Sequence, residues 1–331
     1  MDEQKIIFSG IQPSGTITLG NYIGAVRNWP LVSELGFGIF SVVDMHAITV
    51  RNTPSDLRSR TLSTLAIVLA SGVDPEKNLV FIQSHVPAHA ELAWILNCYT
   101  MYGELGRMTQ FKDKSKQHAD NINAGLFTYP TLMAADILLY NTDLVPVGVD
   151  QKQHLELARN IAIRFNGIYG DVFKVPEGHI PSVGAKVMSL SQPDKKMSKS
   201  DPNPKAYISI IEGRDSIIKK FKSAVTDSDN KIAFSEDKPG ISNLLTIYSV
   251  MTGCTVSQAV SQFDGRGYGD FKLAVGEAVA DGLEPLRERY EYLMNNKDYL
   301  QKVYADSAEK AAYLASKMLS KVQKKIGFIK K

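Results

Sequence analysis

The chain has 331 residues, 44% hydrophobic and 22% charged, and 38 Lys and Arg against 35 Asp and Glu leave a formal net charge of +3. This composition supports one large α/β core with a smaller helical unit and excludes a disordered chain, while so small a net charge does not by itself announce a nucleic-acid binder. No apolar run approaches the roughly 20 residues that span a bilayer, Met1-Asp2-Glu3-Gln4-Lys5 has no apolar signal region behind a basic start, and a cytoplasmic protein is expected.

In chain order, Ile6-Ile7-Phe8 reads as a first buried strand that breaks at Ser9-Gly10 into a glycine-rich turn, with a helix starting near Thr18 or Asn21. Gly10, Gly15 and Gly20 let backbone N–H groups approach a ligand, and the helix start aims its positive end at the same place, which suits a nucleotide. Many turns need glycine for conformation alone, and both the Walker pattern and the dinucleotide glycine fingerprint are missing. Residues 38–43 form a second buried run, Thr53-Pro54 opens a helix that closes at Gly72, and residues 79–83 form a third strand. The alternation predicts parallel strands in a doubly wound, Rossmann-like α/β sheet, with ligands beyond the carboxyl ends of the strands, where Gly10, Asp44 and Gln83 lie. The pattern turns polar over an insertion near 103–125, and helices are expected over 132–140 and 151–165.

Cys98 and Cys254 are far apart and lack metal-like spacing, so both are expected as packing residues. Beyond Pro204 the character is helical, with Gly240, Gly253, the glycines of 265–269 and Pro285 punctuating apolar segments over 244–251, 256–263, 271–279 and 286–293. Residues 308–325 make a last amphipathic helix with Ala311, Ala312, Ala315, Met318, Leu319 and Val322 inward. Lysines gather at Lys195, Lys196, Lys199 and Lys205, at Lys219, Lys220 and Lys222, and at Lys317, Lys321, Lys324, Lys325, Lys330 and Lys331; each cluster also reads as a solvated face.

Lys196-Met197-Ser198-Lys199-Ser200, followed by the turn-forming Asp201-Pro202-Asn203-Pro204, combines two flexible ammonium groups with two small hydroxyls and suits a triphosphate. With Thr18-Leu19-Gly20-Asn21 in the place of "HIGH", it resembles the paired signatures of class I aminoacyl-tRNA synthetases. Gly10-Ile11-Gln12-Pro13-Ser14-Gly15, Val43-Asp44-Met45-His46-Ala47-Ile48-Thr49, Tyr129-Pro130-Thr131-Leu132-Met133-Ala134-Ala135-Asp136-Ile137-Leu138 and Val147-Gly148-Val149-Asp150-Gln151 are similar to the bacterial-type tryptophanyl-tRNA synthetases of subclass c, over essentially the whole chain. Both histidines of "HIGH" are replaced, by Thr18 and Asn21, as is usual in that subclass.

The resemblance implies a catalytic domain over 1–190, a mobile loop over 191–204 and a helical anticodon-binding domain over 205–331 whose last helix packs back. It implies activation of L-tryptophan by ATP with Mg²⁺ on the phosphates, transfer to tRNA(Trp), and a homodimer. Gln12, Pro13, Ser14, Gly20 and Asn21 are implied ATP contacts at the first turn; Gly148, Val149 and Asp150 would meet the adenosine and Val187 the adenine. Thr18 and Asn21 stand with Lys196 and Lys199 as the catalytic set; Met197, Ser198 and Ser200 complete the phosphate segment, which Lys114 would assist.

Asp136 lies in a largely apolar helix where an unpaired carboxylate is costly. A backbone or arginine neighbour would satisfy it; the resemblance instead makes it the acceptor for the indole N–H, in a pocket walled by Phe8, Met133, Val145 and Val147. Tyr129 and Gln151 then suit the amino group, and His46 is a minor substrate candidate, equally readable as a core histidine. Three alternatives stay open: a tyrosyl-tRNA synthetase, a small-molecule adenylyltransferase of the same superfamily, and a catalytically silent tRNA-binding paralogue.

Overall fold

The computed structural model describes residues 4–111, 122–148, 151–179 and 186–329. The chain divides into two compact units, one of Met1–Gly15, Trp29–Pro181 and Asn296–Lys331 and the other of Thr16–Asn28 and Ser182–Asn295. This division runs differently from boundaries drawn at 190 and 204 along the sequence: the last segment joins the first unit, and the segment after the first turn joins the second.

The first unit is built on five strands, β1 (Ile6–Ile11), β2 (Phe37–Val42), β3 (Leu79–Ile82), β4 (Leu144–Pro146) and β5 (Glu177–His179), in the order β3-β2-β1-β4-β5. Every pairing is parallel, with Phe8 opposite Ile39 and Ile7 opposite Leu144. Ile39, Leu79 and Phe81 belong to one hydrophobic cluster while Phe40 and Val80, which point the other way, are equally buried. Burial on both faces is what a parallel sheet needs and why its strands read as continuous apolar runs. Into the cluster the helices Ala88–Asn97, Ala124–Leu138, Lys152–Tyr169 and Lys297–Ile326 press their apolar faces; Pro54–Ala70 packs on β2 and β3.

The first three strands fall where the apolar runs predict them, except that β1 runs through Ser9 and Gly10 to Ile11 instead of breaking there, and several helices are longer than drawn. Ala124–Leu138 begins eight residues before 132, because Asn123 caps it by accepting the Leu126 N–H at 3.0 Å and Pro130 is accommodated inside. The last helix starts at Lys297, and Ala308, Ala311, Ala315, Met318, Leu319 and Val322 are its core-facing residues. Of the basic tail, Lys321 donates to the Val172 carbonyl at 2.7 Å and Lys325 to the Tyr169 carbonyl at 2.9 Å, at a helix C-terminus where cations are favoured. Cys98 is exposed, contrary to its reading as a packing residue, because it caps the end of Ala88–Asn97 where the chain leaves the core.

The second unit is helical: Leu19–Gly24, Arg214–Lys222, Pro239–Thr252, Val256–Gln262 and Tyr268–Asn295, with Arg214–Lys222 and Pro239–Thr252 both packed along Tyr268–Asn295. Phe221, Phe263, Phe271 and Leu283 are fully buried. Pro285 does not separate two helices as its lack of an N–H suggests. It costs the Asp281 carbonyl its partner on an exposed turn, where water can substitute, while Leu283 and Leu286 keep the buried face continuous.

Candidate active site

The sheet order reverses between β1 and β4, and in open α/β sheets the crevice beyond the carboxyl ends at such a point is the natural ligand seat. A cavity of about 300 Å³ opens there within the first unit. Phe8 and Gly10 of β1, Pro146 and Val145 of β4, and Val43, Met133, Ile137, Val147 and Gly148 form its mostly apolar walls; Gln12, His46, Thr49, Gln110, Tyr129, Asp136 and Gln151 supply polar points. Few convergent polar groups in an apolar shell are the marks of a small-molecule site.

The strongest of these points is Asp136, only 1% exposed near the end of Ala124–Leu138. Its Oδ1 accepts from Gln83 Nε2 and from His89 Nδ1, each at 2.6 Å, and its Oδ2 pairs with His46 Nε2 at 2.7 Å. An ionised carboxylate only accepts, so the facing nitrogens of both histidines carry protons. Burial alone would raise the Asp136 carboxyl, but the His46 charge and the hydrogen bonds of His46 and His89 override it and hold the carboxyl below its ordinary range. A carboxylate offers about four lone-pair directions. Among the described residues three are taken, two on Oδ1 and one on Oδ2, so Oδ2 keeps capacity for one more donor at the cavity wall.

Around it the polar groups are positioned by further bonds. His89 Nε2 lies 2.8 Å from the Tyr140 hydroxyl, and Tyr129 OH lies 2.7 Å from His154 Nε2. Burial pushes both tyrosine hydroxyls upward, so they stay protonated donors at neutral pH. Gln12 Nε2 donates to the His46 carbonyl at 3.2 Å, and Thr49 Oγ1 donates to the same carbonyl at 2.8 Å.

In the second unit the two predicted nucleotide segments meet. Thr18 caps Leu19–Gly24 in a reciprocal box: its Oγ1 accepts the Asn21 N–H at 3.3 Å while Asn21 Oδ1 accepts the Thr18 N–H at 3.1 Å. Leu19 N–H bonds the Ile208 carbonyl at 2.9 Å, and Ile210 N–H bonds the Ile17 carbonyl at 3.1 Å. Gly20 lies so near the other segment that a Cβ built on it would stand 3.6 Å from Val187 Cβ and 3.8 Å from Met197 Cβ. Met197 is buried and its N–H bonds the Val187 carbonyl at 3.0 Å, whereas Lys196, Ser198 and Ser200 are exposed and Lys199 half-buried. An apolar anchor thus fixes a segment in which Lys196, Ser198 and Ser200 are exposed.

Residues 1–312 match the family described as tRNA synthetases class I (W and Y). The tryptophan–tRNA ligase of Clostridium perfringens is 54% identical over 328 residues, covering 99% of each chain. Among solved structures, the tryptophanyl-tRNA synthetase of Mycoplasma pneumoniae superposes with a TM-score of 0.86 at 33% identity and 99% coverage of both chains. That of Campylobacter jejuni, complexed with ADP and tryptophan, gives 0.85 at 33% identity, with 98% of this chain and 100% of that one covered. The chain belongs to the tryptophan–tRNA ligase family.

For a tryptophan–tRNA ligase fold, the predicted substrate set is brought together in full: Phe8, His46, Tyr129, Met133, Asp136, Val145, Val147 and Gln151 all line the one cavity. Of the predicted nucleotide set, Gln12, Pro13, Ser14 and Gly148 lie in the first unit, and Thr18, Gly20, Asn21, Val187 and the 196–200 segment in the second. Lys114, Val149 and Asp150 lie outside the described residues. The alternative reading of Asp136, a backbone or arginine partner, is not what the described residues show: two histidines and a glutamine hold the carboxylate. Gln83 and His89 were not singled out for this role. Gln83 announced itself only as a strand end, and His89, inside an apolar helix, gave no local signal.

Proposed function

We infer that the chain activates L-tryptophan with ATP, releasing pyrophosphate, and transfers the tryptophanyl group to tRNA(Trp). The observation that carries this reading is the fourth acceptor direction of a buried, ionised Asp136 at the wall of an apolar cavity, which matches an indole N–H. A phenol would offer an O–H to the same acceptor but would also bring lone pairs that an acceptor-only carboxylate leaves unmatched. Phe8, Met133, Val145 and Val147 would enclose the ring, and Tyr129 and Gln151 would face the amino group.

In the reaction the amino-acid carboxylate attacks the α-phosphorus of ATP and pyrophosphate departs, so negative charge grows on the phosphate oxygens. The chain's part is position and field. Lys196 and Lys199 neutralise the leaving pyrophosphate, Ser198 and Ser200 offer hydroxyl donors, and Gly20 lets the backbone approach, with Thr18 and Asn21 fixing the turn beside it. Gln12, Pro13, Ser14, Gly148, Val149, Asp150 and Val187 serve as nucleotide contacts, with Lys114 assisting. Among the described residues no group of three or more His, Cys, Asp or Glu could hold a metal. A Mg²⁺ held with the ATP phosphates would supply charge neutralisation. The 191–204 segment moves onto ATP when the charge it must meet arrives, and the helical 205–331 region carries the anticodon contacts.

A homodimer is the assembly we propose. An apolar groove of about 430 Å³ in the first unit, lined by Met45, Ile48, Ala93, Trp94 and Leu132, leaves Ile48 63% and Trp94 72% exposed, which suits burial against a second copy. No helix among the described residues is long and apolar enough to cross a membrane, and the working compartment we propose is the cytoplasm. Pyrophosphate exchange measured with each of the twenty amino acids tests the activity: tryptophan alone should support it, and preference for tyrosine would overturn the assignment.

A further inference from the structure

Asn243 sits inside the Pro239–Thr252 helix of the second unit and is 5% exposed. A buried asparagine within a helix is disfavoured both by propensity and by burial unless its amide is paired. Here both ends of the amide go to a single residue: Oδ1 accepts the Met188 N–H at 2.9 Å, and Nδ2 donates to the Met188 carbonyl at 3.0 Å.

Met188 lies opposite Lys196 in a short antiparallel pairing closed on either side by Met197 N–H to the Val187 carbonyl, at 3.0 Å, and Ser189 N–H to the Lys195 carbonyl, at 2.8 Å. A residue between two such bonds turns its own N–H and C=O away from the opposing strand. The Asn243 amide meets both, as a third strand would. Farther along the same helix, about two turns on, the Val250 carbonyl accepts from Arg27 Nη1 at 3.1 Å, and Arg27 follows the Leu19–Gly24 helix that Thr18 and Asn21 cap. One helix therefore grips the hairpin leading into Lys196-Met197-Ser198-Lys199-Ser200 and also the segment leading out of Thr18-Leu19-Gly20-Asn21.

We propose that Asn243 is a positioning residue for tryptophan activation: through Met188 it registers the lysine-bearing hairpin on the Pro239–Thr252 helix, so that a displacement of this helix is passed to Lys196 and Lys199. The proposal rests on the reading of those lysines as partners of the ATP phosphates. It assigns to a residue of the Pro239–Thr252 helix, bonded to the backbone of Met188, control over the rate of adenylate formation.

The test uses the full-length enzyme with Asn243→Leu, which removes both amide partners, and Asn243→Asp, which keeps only the acceptor for the Met188 N–H. Tryptophan-dependent pyrophosphate exchange is normalised to active sites titrated by adenylate formation, so that loss of folded protein does not count. Misplacement of a reacting group by about 1 Å can cost on the order of 10²-fold; kcat is expected to fall about 10–100-fold in the leucine variant and less in the aspartate variant, with the KM for tryptophan within about twofold. In a background where Lys196→Ala and Lys199→Ala are combined, neither variant should slow the reaction further, because both act through the same two lysines. A normal kcat per active site in both variants, or losses that multiply in that double-lysine background, would overturn the proposal. Lys199→Ala alone separates the premise from the proposal: if it leaves kcat unchanged, the lysine reading fails, whereas a slow Lys199→Ala beside normal Asn243 variants sinks only the positioning role. Should the leucine variant not fold, the aspartate variant decides by the same two criteria.

Discussion

His89 Nδ1 donates to Asp136 Oδ1 at 2.6 Å, and the other nitrogen of the same ring lies 2.8 Å from the Tyr140 hydroxyl, so one fully buried imidazole of the Ala88–Asn97 helix grips two points at the end of Ala124–Leu138. With Gln83 on the same oxygen and His46 on the other, the carboxylate is fixed in orientation before any ligand arrives.

Asp136→Ala should therefore damage both selectivity and stability. Sites that hydrogen-bond a substrate donor reject analogues lacking it by roughly 10⁴–10⁵-fold, and this discrimination against phenylalanine and tyrosine should erode together with kcat/KM for tryptophan in exchange assays. The variant also leaves Gln83, His46 and His89 with unmatched donors, each costing about 1–3 kcal/mol, readable as a lower urea midpoint. Normal, selective tryptophan activation by the variant would remove Asp136 from the specificity role.

His89→Leu removes one of the three donors and leaves both the Asp136 carboxylate and the Tyr140 hydroxyl a partner short. The unfolding free energy should drop by about 1–3 kcal/mol, and the KM for tryptophan should rise because Asp136 is no longer held. A variant as stable as the parent in urea melts, with unchanged KM, would contradict the network.

Lys199→Ala should lower the kcat of adenylate formation by about 10²–10³-fold, the loss typical of a donor that acts in the transition state. Tryptophan binding should change little, since the cavity is lined by other residues, Asp136 and Tyr129 among them. Exchange kinetics read both quantities, and an effect confined to KM would refute the assignment.

Glu104 supplies a pH signature. Hydrogen bonds from Arg164, at 2.8 and 3.1 Å, lower its carboxyl against the opposing effect of burial, and the Met101 N–H adds to them. A carboxyl lowered in the folded state stabilises fully above its unfolded value, about 4.3, and loses that contribution as pH falls through the lower folded value. The stability gap between the parent and Glu104→Gln should thus be present at pH 6 and narrow below about pH 4.3. Denaturant melts across that range check it; a gap that grows with acid would reverse the sign.

Trp94→Glu should dissociate the proposed homodimer, because a charge in the centre of an apolar contact is left desolvated and unpaired. Sedimentation of parent and variant at equal concentration decides it: an unchanged mass would place the dimer contact elsewhere.

Much of this protein is local and hence written along the chain. β1, β2 and β3 are apolar runs because a parallel sheet covered on both faces has no solvent side to mark with polar residues. Thr18 and Asn21 cap a helix through bonds three residues apart, and the 196–200 segment carries its chemistry in adjacent side chains. Asp136 in an apolar helix could be recognised as a group that needs a partner, and the eight cavity residues were named through the family resemblance.

Which partner it has was a matter of three dimensions. Gln83, His46 and His89 come from three separate segments and meet at Asp136 only because the sheet order brings the ends of β2 and β3 over Ala124–Leu138. The same holds for Lys297–Ile326, which joins the first unit through side chains buried against residues more than 100 positions earlier, and for Pro285, whose missing N–H the packing of Leu283 and Leu286 outweighs. Short-range hydrogen bonds and periodicity are properties of neighbours in sequence, whereas pairing of a buried charge and the balance of a helix break against its packing depend on contacts that exist only once the chain has folded.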